Sequence, residues 1–243
     1  MIIGVDGCKA GWISIWIRSD GEVQHEIFPC IQSIWDKFET TDSILIDIPI
    51  GLLASGEKER VCDREARKIL GKGRGSSVFP VPCRPAVYAN SYLSASEVNK
   101  NLTGKSLSKQ SWNIIPKIRE VDELLISNPL ARTAFCEVHP ELSLWGLNKR
   151  TPMAFNKKSE RGFQERVAIL DRHWANVSGI VREIKALYST AVIARDDIVD
   201  AFALLLMGRL SNKDVYFLPE VNVTDEEGIP MKIRVGTSRL CKL

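Results

Sequence analysis

The sequence lacks any long hydrophobic run, and it has neither paired cysteines nor a recognisable secretion signal. No apolar stretch approaches the roughly 18 residues that a membrane helix needs, so no membrane segment is expected. The first residues, MIIGVDGCK, enter an apolar strand at once, without a basic region or a cleavage site, which predicts a cytoplasmic protein. Reduced thiols are expected for the six scattered cysteines. These are Cys8, Cys30, Cys62, Cys83, Cys136 and Cys241.

Histidine is also scarce, and no common nucleophile arrangement is visible. Only His25, His139 and His173 occur, without a Ser-His-Asp or Cys-His pattern around them. The segment GKGRGSS has glycines and a lysine but lacks the spacing and the preceding strand of a phosphate-binding Walker loop. Cys136 and His139 have the spacing of zinc ligands, yet no second pair accompanies them.

Net charge is low, at +3, but the charge is unevenly distributed. Residues 57–119 contain 13 Lys and Arg against five Asp and Glu, whereas the rest of the chain is acidic. A basic segment beside an acidic remainder suits a protein that draws a polyanion towards a carboxylate site. A solvated pair of charged helices would give the same pattern.

The hydrophobic pattern predicts an α/β fold with a mixed sheet. MIIGVD, GWISIWIRS and EVQHEIF are typical of three strands in an antiparallel meander; a helix over 31–39 and the buried strand SILIDIPIG follow. RTAFCEV predicts a fifth strand, and VYFLPEV with GIPMKIRV a final hairpin. This pattern is that of a ribonuclease H-like sheet flanked by helices. We expect a core formed by 1–51 and 130–243, with a helical insertion over 52–129 in the same domain or as a small cap.

Acidic residues occur where burial should disfavour them. Asp6 ends the first strand, Asp47 lies between isoleucines just before Pro49, and Asp197 and Asp200 share one face of the last long helix. Asp196 fits a helix N-cap, but Asp200 lies too far inside the helix for capping. The first and fourth strands should be neighbours. Four carboxylates without an opposing cation would suit Mg²⁺ or Mn²⁺, and a two-metal site could cleave a phosphodiester.

Two further groups are candidates for the site. Glu137 could be another metal ligand, and His139 could act as a general acid or base, although a helix-entry role for His139 is equally compatible. Basic side chains of the insertion could bind phosphates, with ordinary surface ion pairs as the alternative. The candidates are Arg60, Arg64, Arg67, Arg74, Arg84 and Lys117.

Seven motifs resemble a known family in the same order along nearly the whole chain. They are GVDGCKAGW, IDIPIGL, CDREAR, SVF…P.R, EVHPELS, KK…G…R and DDIVDA. The chain resembles the family called domain of unknown function 429, whose members are described as predicted nucleases of the ribonuclease H fold. The resemblance implies that fold, a nuclease activity, and site residues Asp6, Asp47, Glu137, His139, Asp197 and Asp200. DDIVDA is also similar to the last-helix acids of Holliday-junction resolvases.

The leading hypothesis is therefore an Mg²⁺- or Mn²⁺-dependent nuclease acting on DNA or RNA. An actin-like or kinase-related nucleotide-binding protein is the second hypothesis, because such proteins also place Asp-Gly after the first strand. They normally need a second Asp-Gly domain, which the sequence lacks. A non-catalytic metal- or nucleic-acid-binding module is the third. Resolvase-like cleavage of two strands would favour a dimer, but no interface is legible in the sequence.

Overall fold

The computed structural model describes residues 1–55 and 59–237, and a five-stranded mixed sheet forms its centre. The spatial order of the strands is β3-β2-β1-β4-β5. They are β1 (Ile2–Cys8), β2 (Gly11–Ile17), β3 (Val23–Phe28), β4 (Ser43–Ile46) and β5 (Phe135–Glu137). β1, β2 and β3 pair antiparallel, whereas β4 is parallel to both β1 and β5. The predicted α/β class, the meander and the neighbouring first and fourth strands are confirmed.

Helices cover both faces of the sheet. In chain order they are α1 (Ile31–Phe38), α2 (Val61–Arg74), α3 (Arg84–Val87), α4 (Tyr92–Thr103), α5 (Lys109–Ser127), α6 (Pro129–Ala134), α7 (Pro140–Leu147), α8 (Glu160–Leu170), α9 (Val177–Leu187) and α10 (Arg195–Gly208). Helices α2 to α6 follow β4 and precede β5. Short 3₁₀ turns occupy Gly75–Ser77 and Asn212–Asp214. The first residues of the helix predicted from residue 57 lie outside the described residues.

Side-chain alternation along the strands separates two cores. Val5 and Ile46 belong to the core shared with α1, α4, α5 and α6, whereas Leu45 belongs to the core shared with α7 to α10. Gly4 lies against α10 so closely that an added Cβ would lie 2.1 Å from the carbonyl oxygen of Ala201. Because alternate residues share a face, Asp6 follows Gly4 and Asp47 follows Leu45 onto the α10 side.

The predicted terminal hairpin forms a second, small sheet. Its strands are β6 (Val215–Leu218) and β7 (Ile233–Gly236), which pair antiparallel. Together with α2 and α7 they enclose a third apolar cluster. Among the described residues, no helix is both long and apolar enough to cross a membrane. The thiols of Cys8, Cys30, Cys62, Cys83 and Cys136 are free; Cys241 lies outside the described residues.

Candidate active site

Asp6 and Asp47 lie side by side where the parallel pairing of β1 and β4 ends. The last paired residues are Val5 and Ile46, and the backbone amide of Asp47 donates to the carbonyl oxygen of Val5 at 3.1 Å. Asp6 is buried, and its Oδ1 accepts the amide of Gly7 at 2.8 Å. The expected juxtaposition of the two carboxylates therefore follows from the register of two neighbouring strands.

Helix α10 brings its acidic residues to the same face of the sheet. The sequence assigned the N-cap to Asp196, but the N-cap is Ala194, two residues earlier, and the helix begins at Arg195. Asp197 satisfies the amide of Ala194 through Oδ2 at 2.9 Å, so it performs the capping role. Asp200 is only 2% exposed. As the sequence predicted, Asp200 is too far inside the helix to cap it.

Burial and mutual repulsion disfavour ionisation of these carboxylates. Burial raises the pKa of Asp6 well above its usual value, and the charges of Asp47 and Asp200 raise it further. Burial likewise raises the pKa of Asp47 to about 6, and that of Asp197 to about 6. The pKa of Asp200 is also raised by burial, against the opposing charge of Lys157. The carboxylates are thus close enough to interact, and an added cation would stabilise their ionised forms.

Lys157 is a functional residue that the sequence analysis missed. Its Nζ donates to Oδ2 of Asp200 at 2.8 Å and lies 4.0 Å from Oδ2 of Asp196. The expectation of carboxylates without an opposing cation was therefore wrong. The lysine belongs to the KK…G…R motif, but it precedes α8 in a segment without periodicity, so no sequence pattern placed it near DDIVDA.

Glu141 was also missed, although it lies inside the quoted EVHPELS motif. It is 7% exposed, and its Oε1 accepts a bond from Arg166. Its other oxygen is buried without a hydrogen-bond partner. The charge of Glu141 raises the pKa values of Asp47 and Asp200, which places it beside the aspartates. The sequence signal that could have identified Glu141 is its position in the first turn of a helix that directly follows a strand.

A cleft of about 250 Å³ opens beside Asp6 and Asp47. Helix α5 supplies its other wall, with Gln110, Asn113 and Lys117 among the lining residues. The ammonium of Lys117 donates to the carbonyl oxygen of Gly11 and lies 4.1 Å from the ring centroid of Trp12. Of the six basic residues proposed from the sequence, Lys117 is the one in this cleft. The cleft therefore combines carboxylates, amides and one ammonium.

Glu137 does not join the aspartates. It pairs with Ile46 in the β4–β5 register, so its side chain points to the opposite face of the sheet. There both of its oxygens accept bonds from Arg60, and Oε2 also accepts the amide of Ile50 at 2.7 Å. Its carboxylate is already satisfied by protein donors. The structure therefore corrects its predicted role as a metal ligand.

His139 takes the helix-entry alternative. It is the N-cap of α7, where its Nδ1 accepts the amide of Glu141 at 3.2 Å. Nε2 then carries the proton and faces the carbonyl oxygen of Ser77 at 3.3 Å. With both ring nitrogens engaged, the predicted acid–base role is replaced by a structural one. The ring nevertheless lies near the site, since a protonated His139 would lower the pKa of Asp47.

Three of the predicted phosphate ligands are committed to contacts within the protein. Arg60 is 2% exposed and pairs with Asp63 and Glu137. Arg84 is held between two carboxylates, those of Asp122 and Asp225, and Arg74 donates through Nε to the carbonyl oxygen of Met153. Arg60 and Arg84 are thus largely withdrawn from solvent because buried acids surround them. The sequence pattern of α2 could not show which face is covered.

Arg64 and Arg67 border an open basic groove, although Arg67 also donates to the carbonyl oxygens of Val78 and Phe79. The groove has a volume of about 660 Å³. Its basic residues are Arg64, Arg67, Lys68, Lys72 and Lys105. Arg67 and Lys105 share the carboxylate of Glu59, which leaves the groove with an excess of positive charge. Its position on α2 and the following glycine-rich turn suits contact with an anionic chain.

The aspartate pair at the strand ends fits a small divalent cation. Among the described residues, no group of three or more His, Cys, Asp or Glu side chains is placed to hold one ion. Mg²⁺ does not require such a group, because one or two carboxylates, waters and substrate phosphates commonly hold it. Within the same residues neither Asp6 nor Asp47 forms a salt bridge, and both pKa values are raised. This donor set is the chemistry that Mg²⁺ and Mn²⁺ prefer.

The raised pKa of Asp47 predicts a pH-dependent effect of Asp47→Asn on stability. Ionisation costs the folded state more than the unfolded state, so this cost is absent near pH 4 and complete above about pH 6.5. Asn removes it. In EDTA, the variant should gain on the order of 3 kcal/mol over the wild type at pH 7.5, and much less at pH 4.5. Urea unfolding at both pH values measures this; a difference that does not change with pH would contradict it.

One family model matches the chain. It is described as "Protein of unknown function (DUF429)", and it covers residues 4–223. No curated protein and no solved structure matches the chain. The matched range includes all of the aspartates at the strand ends and on α10, together with Lys157 and Glu141.

Proposed function

The chain belongs to the DUF429 family, and we propose that it is a divalent-metal-dependent phosphodiesterase that hydrolyses nucleic acid. We also propose that its mixed sheet is ribonuclease H-like and that α2 to α6 form a helical insertion after β4. The strand order and the position of these helices between β4 and β5 support both statements. The proposed metal is Mg²⁺ or Mn²⁺.

The convergence of Asp6, Asp47 and Asp200 on one face of the sheet is the observation that carries this proposal. They come from β1, the end of β4 and α10; the charges of Asp47 and Asp200 raise the pKa of Asp6, and that of Asp200 raises the pKa of Asp47. A structural role alone would not favour so many buried like charges, because each costs free energy unless a cation compensates it. Lys157 compensates only part of this charge.

Within the proposed reaction, the protein's own groups position the phosphate. Asp6 and Asp47 would hold the ion, which supplies Lewis acidity and a more acidic water. Gln110 and Asn113 of the cleft offer amide donors to phosphate oxygens, and the Lys117 ammonium adds positive charge. These assignments do not need a histidine base, and His139 acts as an N-cap.

The basic groove supports a polymeric substrate rather than a small phosphate ester. Ser76 lines the groove, and the next residue, Ser77, faces the ring of His139 through its carbonyl oxygen. The ring of His139 lies close enough to Asp47 for a charge on it to lower the pKa of that carboxyl, which supports a path from the groove towards the carboxylates. Lysines and arginines along such a groove would neutralise successive phosphates of DNA or RNA.

The test is cleavage of end-labelled single-stranded, duplex and branched DNA, and of the matching RNAs, in MgCl₂, MnCl₂ or EDTA. We expect cleavage of at least one polymer with Mg²⁺ or Mn²⁺ and none in EDTA. The substrate that is cut identifies the nucleic acid. Absence of cleavage across the whole panel at saturating metal would refute the nuclease proposal and favour a non-catalytic binding module.

A further inference from the structure

Lys157 occupies the position in this site where a second cation would be expected. Its ammonium contacts Asp200 at 2.8 Å and reaches Asp196 at 4.0 Å. The side chain is 41% exposed, so the ammonium approaches the buried carboxylate from the solvent side. An ammonium has three N–H donors, so Lys157 retains donors for a ligand after it bonds to Asp200.

The charge of Lys157 acts on all four acids of the aspartate cluster, which consists of Asp6, Asp47, Asp197 and Asp200. It lowers the pKa of each of the four acids that the sequence suggested as metal ligands. Only Asp200 is in hydrogen-bond contact with it, however. Asp6 and Asp47 receive no salt bridge from any described residue. The cluster therefore divides into Asp200, which is paired with the lysine, Asp197, which accepts the amide of Ala194, and the two acids still available to a cation.

Glu141 adds a second observation beside the lysine. Its Oε2 is buried without a partner, while its charge acts on Asp47 and Asp200. A buried carboxylate oxygen without any donor is costly, because it has lost water and gained nothing in return. Arg166 already provides Glu141 with a counter-charge, and a hydrated cation beside Asp47 would supply the water donors that Oε2 lacks.

We infer that Lys157 replaces a second metal ion, so that the site binds a single divalent cation, at Asp6 and Asp47. This inference rests on the proposed metal-dependent function. A second divalent ion at Asp200 would have to displace the ammonium or lie against it, and like charges a few ångströms apart repel strongly in a buried site. Lys157 would then supply the positive charge at Asp200, while the single ion is held by Asp6 and Asp47.

Isothermal titration calorimetry with MnCl₂ on the full chain tests the stoichiometry without requiring activity. We expect one Mn²⁺ per chain for the wild type and for Lys158→Met, a matched control on the neighbouring exposed lysine. Lys157→Met frees Asp200 and Asp196 and should bind two. Asp200→Asn should still bind one, because Asp6 and Asp47 remain, and more weakly, because the ammonium of Lys157 then lacks its partner; it is a second variant should Lys157→Met not fold.

The outcomes separate this inference from the proposed function. Two ions in the wild type would overturn the role of Lys157 while leaving a metal-dependent nuclease intact. One ion in a folded Lys157→Met variant would also overturn it, since the lysine would then exclude nothing. No Mn²⁺ binding by the wild type would refute the metal site itself and, with it, both statements.

Discussion

Replacing Asp6 by Asn is expected to reduce metal-dependent cleavage by about 10³-fold or more while the protein stays folded. Asn keeps the size of the side chain, and its Oδ1 can still accept the amide of Gly7. The substitution removes one of the two charged ligands, and the loss of several kcal/mol of transition-state stabilisation corresponds to about three orders of magnitude. Because it also removes a buried charge next to Asp47, the free energy of unfolding should not decrease.

Single-turnover cleavage at saturating MnCl₂ measures this effect, using the polymer that the wild type cuts best. Asp36→Asn is the matched control, since Asp36 is an exposed aspartate on α1 that accepts only a bond from Gln32 at 2.7 Å. Its rate should equal that of the wild type. An Asp6→Asn variant that cuts at the wild-type rate would show that the reaction does not use this carboxylate.

The fold could be predicted from the sequence because strand and helix patterns leave few arrangements. The continuous apolar residues of SILI predict a strand that is covered on both faces. The alternating residues of GWISIWI predict a strand whose two faces have different surroundings. The tight turn after Asp20 joined β2 and β3 as a hairpin. Because β4 pairs parallel with β1, Asp6 and Asp47 lie next to each other. Their position follows from the order and register of the strands.

The N-cap of α10 shows the limit of boundary prediction. Three polar residues, Arg195, Asp196 and Asp197, precede the apolar part of the helix, and each was compatible with its first turn. Which one caps the helix depends on where the preceding chain turns, and sequence preferences seldom fix a helix end to within one residue. Asp200 was unaffected by this error, because it lies well inside the helix under any choice of N-cap.

Lys157 could not be predicted because its position depends on tertiary structure. It belongs to a connection between α7 and α8, and 43 residues separate it from Asp200. No periodicity relates the two residues. The sequence signal for a lysine here is indirect. A buried acid needs a positive partner, and from the sequence a metal ion was predicted in that role. The structure supplies a lysine for Asp200 and leaves Asp6 and Asp47 for the metal.

Arg60 was a candidate phosphate ligand, and its spacing from Arg64 and Arg67 is that of residues on one helix face. Spacing identifies residues that share a face, but it does not identify what covers that face. Arg60 is the N-cap of α2, and its guanidinium bonds to Glu137, the last residue of β5. Buried acids on both sides then turn a candidate phosphate ligand into a structural residue. This difference has a measurable consequence for stability.

Arg60→Met should destabilise the protein by about 3–5 kcal/mol, the largest loss of stability that we expect from one substitution. The guanidinium bonds to both oxygens of Glu137 and of Asp63, and it also donates to the carbonyl oxygens of Ile50 and Gly51. Met fills a similar volume but leaves two carboxylates buried without a counter-ion. Urea unfolding at pH 7.5 measures the effect.

Arg64→Met is the matched control, because Arg64 is exposed on the same helix, and its stability should change by less than about 0.5 kcal/mol. The double variant Arg60→Met/Glu137→Met should be more stable than Arg60→Met alone, since it removes one of the uncompensated charges. If Arg60 were instead a solvent-exposed phosphate ligand, the two arginine variants would be equally stable and both would weaken nucleic-acid binding. Equal stability of the Arg60→Met and Arg64→Met variants would therefore refute the buried ion pair that joins α2 to β5.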